Sequence, residues 1–292
     1  MRILITGARG QLGSELQKVL AGEALILADR PDFELTDPSL TRRIVDQRPQ
    51  AIIHTAGNID VDGCERNPNA ALAVNAEGTR LVAQAAAAIG AYLVYLSTDY
   101  VFDGTQATPY TENDPTSPLN AYGRSKLQGE HEVMTVGGNT LIVRTSWLYG
   151  VHGKNFVKTM LRAAATQAEV RVVEDQWGSP TYARELAEVI AGLIQQGIRG
   201  IVHAGGEGGC SWYEFAGAVF EEAQIRCENV PIATADSNRL ASRPRYSVLS
   251  TARLHEYGLR LSPWRSALKR FMEDYAAVDH RAEPARPMSD GV

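Results

Sequence analysis

The apolar positions in the first half of the chain follow two alternating rhythms. Short, continuous apolar runs at residues 2–6, 24–28, 51–55, 92–97 and 140–145 read as strands covered on both faces, as in a parallel sheet. Between them the spacing turns helical. Leu12, Leu16 and Leu20 share one face of a helix over residues 11–20. Asp37-Pro38-Ser39 opens a second helix, with Asp37 suited to the cap and Pro38 to the first turn. The alanine-rich stretch 70–89 predicts one long helix stopped by Gly90, residues 122–134 predict another, and residues 170–173 predict a sixth strand. This alternation predicts an α/β fold with a doubly wound, Rossmann-type parallel sheet. Ligands of such sheets bind outside the carboxyl ends of the strands, where the strand order reverses. Beyond residue 147 the rhythm breaks into short, glycine- and proline-bearing pieces, which predict a smaller α/β lobe.

Composition narrows the function. With 292 residues, 44% hydrophobic and 22% charged, the chain can bury a full core. Its net charge of −5 supplies no global basic field, so a nucleic-acid partner is not expected. The first apolar run is too short for a signal peptide and no run reaches membrane length, so the expectation is a soluble, cytoplasmic protein with no membrane partner. Cys64, Cys210 and Cys227 are scattered and odd in number, which fits a reduced compartment. The six histidines stand apart from cysteines, so no metal is expected.

The first strand runs directly into Gly7-Ala8-Arg9-Gly10-Gln11-Leu12-Gly13. Gly7 permits a tight turn, Gly10 lets backbone approach a pyrophosphate, and Gly13 lets the helix pack on the sheet. The helix start, with Gln11 and Leu12, offers N–H groups to phosphates. A glycine pattern alone is weak, but here it follows a strand and opens a helix. At the end of the second strand, Asp29 suits the ribose hydroxyls of NADH and Arg30 suits the 2′-phosphate of NADPH, so either cofactor remains open. Asp37 reaches the adenine or only caps its helix. Thr55, Ala56 and Gly57 leave room for a flat cofactor or serve chain packing. The dinucleotide-binding domain is accordingly read as residues 1–147 with roughly 168–200 and 244–260. The substrate lobe is read as roughly 148–167, 201–243 and 261–280, and residues 281–292 as a disordered tail.

The chemistry is carried by Tyr122-Gly123-Arg124-Ser125-Lys126. Residues four apart on a helix share a face, so the Tyr122 phenol and Lys126 ammonium project together. Reducing a ketone needs a proton for the developing alkoxide, and a nearby fixed cation lowers the pKa of a phenol. Thr98 ends the fourth strand, where its hydroxyl can reach a substrate oxygen. Thr98, Tyr122 and Lys126 thus form a candidate catalytic triad.

Several stretches carry a resemblance: Ser97-Thr98-Asp99-Tyr100-Val101-Phe102, Tyr122 with Lys126, Arg144-Thr145-Ser146-Trp147, Asp175-Gln176-Trp177-Gly178-Ser179-Pro180-Thr181, and Arg243-Pro244. Over residues 7 to about 272 the chain resembles the extended short-chain dehydrogenase/reductase family, and within it the dTDP-4-dehydrorhamnose reductases. The resemblance implies NAD(P)H-dependent reduction of a dTDP-4-keto-6-deoxyhexose. It also implies substrate contacts from Val61, Thr98, Asp99, Tyr100, Trp147 and Arg243. Arg243 can meet a substrate phosphate or form a lobe-bridging ion pair. Related dehydratases carry a second acid after Asp99; Tyr100 stands there instead, which favours simple reduction. Glu15 matches one position of a metal-bridged dimer in some members, but residues 184–185 do not match clearly. The expectation is therefore no metal, and a monomer or homodimer. Two other readings stay open: a reductase for another nucleotide-deoxysugar, and a non-catalytic NAD(P)-binding subunit similar to the regulatory subunit of methionine adenosyltransferase.

Overall fold

A computed structural model describes residues 1–282. Strands form where the apolar runs lie: β1 (Arg2–Thr6), β2 (Ala24–Ala28), β3 (Ala51–His54), β4 (Tyr92–Thr98) and β5 (Thr140–Thr145). They join Gly200–His203 in a six-stranded sheet, ordered β2, β1, β3, β4, β5, then Gly200–His203. Every pairing in it is parallel. In β1, β3, β4 and β5 successive residues feed two different cores, whereas the edge strand β2, expected to be covered on both faces, leaves Leu27 53% exposed. Ile3, Ile5, Ile53 and Val143 face a layer that includes the helix Ala183–Gln195. Leu4, Ile52, Leu93 and Ile142 face the opposite layer. Each such side chain contributes roughly 1.5–3 kcal/mol on burial. The order reverses between β1 and β3, so the crevice predicted for a ligand opens at their carboxyl ends.

The helices on the two faces are α1 (Gln11–Val19), α2 (Leu40–Gln47), α3 (Val61–Arg66), α4 (Pro68–Leu72), α5 (Gly78–Ile89) and α6 (Ala121–Val136). The single helix expected over 70–89 is instead α4, a π-helical turn at Ala73–Glu77, and α5. Its start moves to Pro68 because the Asn67 side chain caps it, accepting from the Ala70 N–H at 3.2 Å.

The other correction concerns the strands of the second half. Residues 168–200 were read as part of the dinucleotide-binding domain and 201–243 as substrate lobe. Glu169–Val173 instead pairs parallel with Glu228–Ile232 in a separate two-stranded sheet. Gly200–His203 closes the main sheet beside β5. A second apolar cluster around Tyr149, Tyr182, Phe215 and Phe271 joins the helices Phe156–Ala164, Trp212–Glu222 and Trp264–Ala282. Residues 281–282 finish that last helix rather than opening a tail, and the rest of the expected tail lies outside the described residues. Among the described residues no helix is long and apolar enough to cross a membrane.

Candidate active site

The glycine turn is built by contact as much as by conformation. Gly7 has φ +67°, and a Cβ there would stand 2.9 Å from both the Ala56 nitrogen and the Thr55 hydroxyl. A Cβ on Gly13 would lie 2.2 Å from the Gly7 carbonyl, so α1 can pack this closely only with glycine. Gly10 donates its N–H to the Gly7 carbonyl at 2.9 Å. It precedes α1 without any side-chain cap, which leaves the first N–H groups of the helix free for an anion. The Gln11 side chain faces away from that role and accepts from Asn155 Nδ2 at 3.0 Å. Leu12 is buried in the core, so only its backbone can serve a ligand.

Asp29 accepts from the backbone N–H of Arg9 at 2.7 Å and of Arg30 at 2.8 Å. This fixes its carboxylate at the edge of the turn. Beside it lies a cavity of about 440 Å³, lined in part by Ala8, Arg9, Phe33 and Arg43. Asp37 was expected to cap α2 or reach the adenine, but α2 begins at Leu40 with Ser39 at the cap position, so Asp37 and Pro38 lie in the turn before the helix. The Asp37 carboxylate accepts from the Ser39 N–H and hydroxyl, both at 2.8 Å, and pairs with Arg43 at 3.1 Å. Those hydrogen bonds hold it below the usual carboxylate range. Thr55 donates to the Thr6 carbonyl at 2.7 Å. A Cβ on Gly57 would stand 3.0 Å from Asn75 Oδ1, tight enough that the Asn75 side chain would have to shift.

Thr98, Tyr122 and Lys126 meet at the carboxyl end of β4. Asn120 caps α6 by accepting from the Gly123 N–H at 2.8 Å, which sets the first turn that carries Tyr122. A Cβ at Gly123 would be 2.2 Å from the Tyr100 carbonyl, so this glycine lets α6 rest directly on the turn after β4. The Tyr100 and Tyr122 rings sit edge to face, 5.9 Å apart. Lys126 Nζ donates to the Leu96 carbonyl at 2.6 Å and lies 4.2 Å from the Tyr95 ring centroid. Burial pulls its ammonium down to about 7, against the opposing charge of Glu130.

Two expectations change here. The phenol of Tyr122 was expected to be acidified by Lys126. Instead burial holds it above its ordinary value, opposed by a hydrogen bond with Thr98. The lysine charge is directed at a backbone oxygen and at Tyr95. Thr98 was expected to aim its hydroxyl at the substrate, yet it donates to Asp99 Oδ1 at 3.0 Å. Asp99 itself is buried, 2% exposed, and accepts from Thr98 and Ser247. Burial pushes its carboxyl up to about 6, against hydrogen bonds from Ser247, Thr98 and Ser146.

The remaining substrate candidates divide. Val61 opens α3, half-buried, next to Asp62. Burial pushes the Tyr100 phenol up, and Arg243 opposes that shift through charge and a hydrogen bond. Arg243 is not free to meet a phosphate as the chain stands. Its Nη1 and Nη2 both reach the Asp62 carboxylate, at 3.3 and 3.2 Å. Trp147 has φ 44° and stacks on Trp212 at 3.4 Å, with its indole edge against Gly178. One face of the ring expected to receive the sugar is therefore already covered. A second cavity, about 910 Å³, opens beside Arg243 and is also lined by Leu119, Trp177, Arg245 and Tyr246.

Sequence reasoning missed the scaffold under these residues. Buried His54 bridges Thr6 at 2.7 Å and Thr79 at 3.1 Å. Asn75, on the π-helical turn, accepts from the Asn58 N–H at 2.7 Å and donates to Ser125 of α6 at 2.9 Å. Glu130 forms a buried fork with Arg144 of β5, at 2.9 and 2.7 Å, and accepts from Ser97. Only Glu130 left a trace in the sequence, four residues after Lys126 on the same helix face.

A parallel sheet in this order, with a glycine turn at its switch point and a Thr-Tyr-Lys group at the neighbouring strand end, defines a dinucleotide-binding α/β protein of the short-chain dehydrogenase/reductase class. Within that class, the chain belongs to the family described as RmlD substrate binding domain, whose profile matches residues 1–277. A dTDP-4-dehydrorhamnose reductase of Mycobacterium tuberculosis is 43% identical over 277 residues, 91% of each chain. A dTDP-4-keto-6-deoxy-D-glucose reductase of Streptomyces niveus is 40% identical over 275 residues, covering 91% of this chain and 95% of that one. The crystal structure of dTDP-4-dehydrorhamnose reductase from Bacillus anthracis in complex with NADP superposes with a TM-score of 0.91 at 40% identity, over 94% of this chain and 99% of that one.

Proposed function

We propose that this chain is an NAD(P)H-dependent oxidoreductase that reduces the C4 keto group of dTDP-6-deoxy-L-lyxo-4-hexulose to give dTDP-L-rhamnose, the last step of dTDP-rhamnose biosynthesis. The observation that carries the reading is the convergence of Thr98, Tyr122 and Lys126 beside an uncapped glycine turn, in a chain whose full-length relatives are named as such reductases. The cofactor fits the residues present. The closely packed glycine turn and the uncapped start of α1 suit a pyrophosphate. Asp29 and the cavity beside it suit the adenosine half. When bound, the reduced nicotinamide supplies the hydride.

The chain's own residues do the rest. Tyr122 holds a proton at its phenol oxygen and delivers it to the oxygen that becomes the C4 hydroxyl. Lys126, one turn along α6, offers a cation to the phenolate left behind. Asp29 with Arg9 and Arg30 supports either NADH or NADPH. The second cavity, with Arg245 in its wall beside the Asp62-paired Arg243 and Tyr100 bridging to Tyr122, suits a nucleoside diphosphate through Arg245, and through Arg243 only when it leaves Asp62. The two-lobe division, no metal partner, a monomeric or homodimeric state and a cytoplasmic location complete the proposal. The three free cysteines, Cys64, Cys210 and Cys227, fit that last point.

The experiment is to mix the protein with NADH or NADPH and the 4-keto sugar nucleotide, follow loss of the reduced-nicotinamide absorbance, and identify the product by NMR. Formation of dTDP-L-rhamnose supports the reading; no oxidation with either cofactor defeats it. One rival has its own support. The Streptomyces niveus relative is named for a different keto sugar at a similar identity, so a reductase of another dTDP-deoxysugar would show turnover with a different product. A purely regulatory subunit has no need of the preserved triad.

A further inference from the structure

Thr98 has one hydroxyl proton, and two groups compete for it, the Asp99 carboxylate and the Tyr122 phenol oxygen. Thr98 Oγ1 donates to Asp99 Oδ1 at 3.0 Å, while the Tyr100 N–H donates to the same Thr98 oxygen at 3.2 Å. While that proton rests on Asp99, Thr98 offers the Tyr122 phenol only a lone pair; the Thr98 hydrogen bond that opposes the raised phenol requires the proton turned toward Tyr122. The other Asp99 oxygen accepts from Ser247 at 2.5 Å. Ser247 lies 148 residues further on in sequence, in the segment that pairs with Trp177. Ser146, after β5, also bonds the carboxyl. The hydrogen bonds that oppose burial at this carboxyl come from the Ser247, Thr98 and Ser146 hydroxyls and from the Asp99 backbone. A carboxyl in such a setting can take up a proton, and a proton on it reverses the direction of the bond to Thr98.

Resting on the reductase reading above, we propose that Asp99 is a positioning residue. As a carboxylate it claims the Thr98 proton and leaves Thr98 an acceptor. As a carboxylic acid it donates to Thr98, whose own hydroxyl is then free to point as a donor at the phenol oxygen. During reduction the Tyr122 O–H bond breaks and the new O–H bond forms on the sugar oxygen. In the acid form of Asp99, the Thr98 hydroxyl then donates a hydrogen bond to the phenolate, and the Asp99 proton stays in place. No further oxidant, reductant or proton source enters the step.

The ionisable groups that face Asp99 are Tyr100 and Tyr122. Arg243 and Asp62 lie behind Tyr100, and Cys64 lies beside Tyr122. Along α6 the next charged residues are Arg124, paired with Glu65, and Lys126. Because Lys126 also titrates near neutrality, the test must move Asp99 alone, and Ser247 gives that handle.

The test has two readouts. The first is kcat for keto-sugar reduction from about pH 5 to about pH 9, for the intact protein, Ser247→Ala and Asp99→Asn. Losing the hydroxyl that stabilises the carboxylate shifts the falling alkaline limb of Ser247→Ala upward by about one unit, and in Asp99→Asn any remaining alkaline limb is the one set by Lys126. The second readout needs no substrate: NMR of protein labelled at the aspartate side-chain carboxyl. It shows one carboxyl, missing in Asp99→Asn, that titrates well above the others and moves up in Ser247→Ala. A kinetic limb unmoved by Ser247→Ala overturns the proposal. So does an Asp99 carboxyl that titrates in the ordinary range, even if neither variant folds. Absence of turnover by the intact protein at every pH defeats the functional reading instead.

Discussion

At the scale of single residues, the raised phenol of Tyr122 suits a reductase better than an acidified one. The working form before hydride transfer is the neutral phenol, and burial keeps it loaded at neutral pH. Tyr122→Phe should therefore lower kcat by about 10²–10⁴-fold and leave cofactor affinity unchanged, as measured by steady-state kinetics and fluorescence titration. An equal loss of cofactor affinity would show that Tyr122 shapes the pocket instead. Glu130 presents the opposite kind of residue, with no contact to a ligand. Its carboxylate and the Arg144 guanidinium are 0% and 4% exposed. Glu130→Gln should destabilise the fold by about 3–5 kcal/mol, read from urea unfolding; a midpoint within error of the intact protein would count against it. The glycine turn and the Tyr122-Lys126 pair were legible because their spacing alone places them. The partners were not. Arg243 finds Asp62 across 181 residues of sequence, and Lys126 turns to a carbonyl that spacing does not reveal.

At the scale of elements, α6 matters most because it carries the phenol and is held on three sides. Gly123 rests on the Tyr100 carbonyl, and Gly129 meets the Tyr95 hydroxyl and the Asn75 carbonyl. Glu130 grips β5. Gly123→Ala forces a Cβ to 2.2 Å from backbone oxygen, so α6 must lift from the turn after β4. The expected result is a large fall in kcat with a folded protein by circular dichroism; wild-type turnover would mean that the placement of α6 on this turn is not needed. The strands that were read correctly are those with continuous apolar runs. Glu169–Val173 was placed in the wrong sheet although its burial alternates, with Glu169 and Arg171 exposed and Val170 and Val172 buried. Alternation marks a strand covered on one face, and that signal separates the small sheet from the large one. Gly200–His203 was lost because it is short and runs into a glycine-rich stretch. The π-helical turn at Ala73–Glu77 has no marker in an alanine-rich sequence, so Asn75 stayed hidden.

At the scale of the whole molecule, stability depends on two buried, neutral histidines. Burial, then the charges of Lys126 and Arg144 respectively, holds His54 and His203 down to about 3, from a usual value of 6.5. As pH falls below 6.5 the unfolded chain binds protons on both and the folded chain does not, so stability drops across the window from about 6.5 to about 3. Asp99, pushed up to about 6, works in the other direction, but as one group against two. The urea midpoint should be lower at about pH 5 than at about pH 7; an equal or higher midpoint at the lower pH would contradict the buried-histidine account. The overall architecture was readable because one sheet with one glycine turn dictates where a ligand lies. The detailed closure of the second cavity was not, since it is assembled from loops at 103–106, 174–177 and 243–246 whose meeting is a property of the folded chain.

The most direct test of the central claim is isotopic. The protein is given the 4-keto sugar nucleotide with NAD(P)H carrying deuterium at the transferable position of the nicotinamide, and the product is examined by NMR. The account predicts deuterium bonded to C4 of a 6-deoxysugar, formed by the intact protein and lost with Tyr122→Phe. Oxidised cofactor without deuterium on the sugar, or undiminished labelling by Tyr122→Phe, would contradict it.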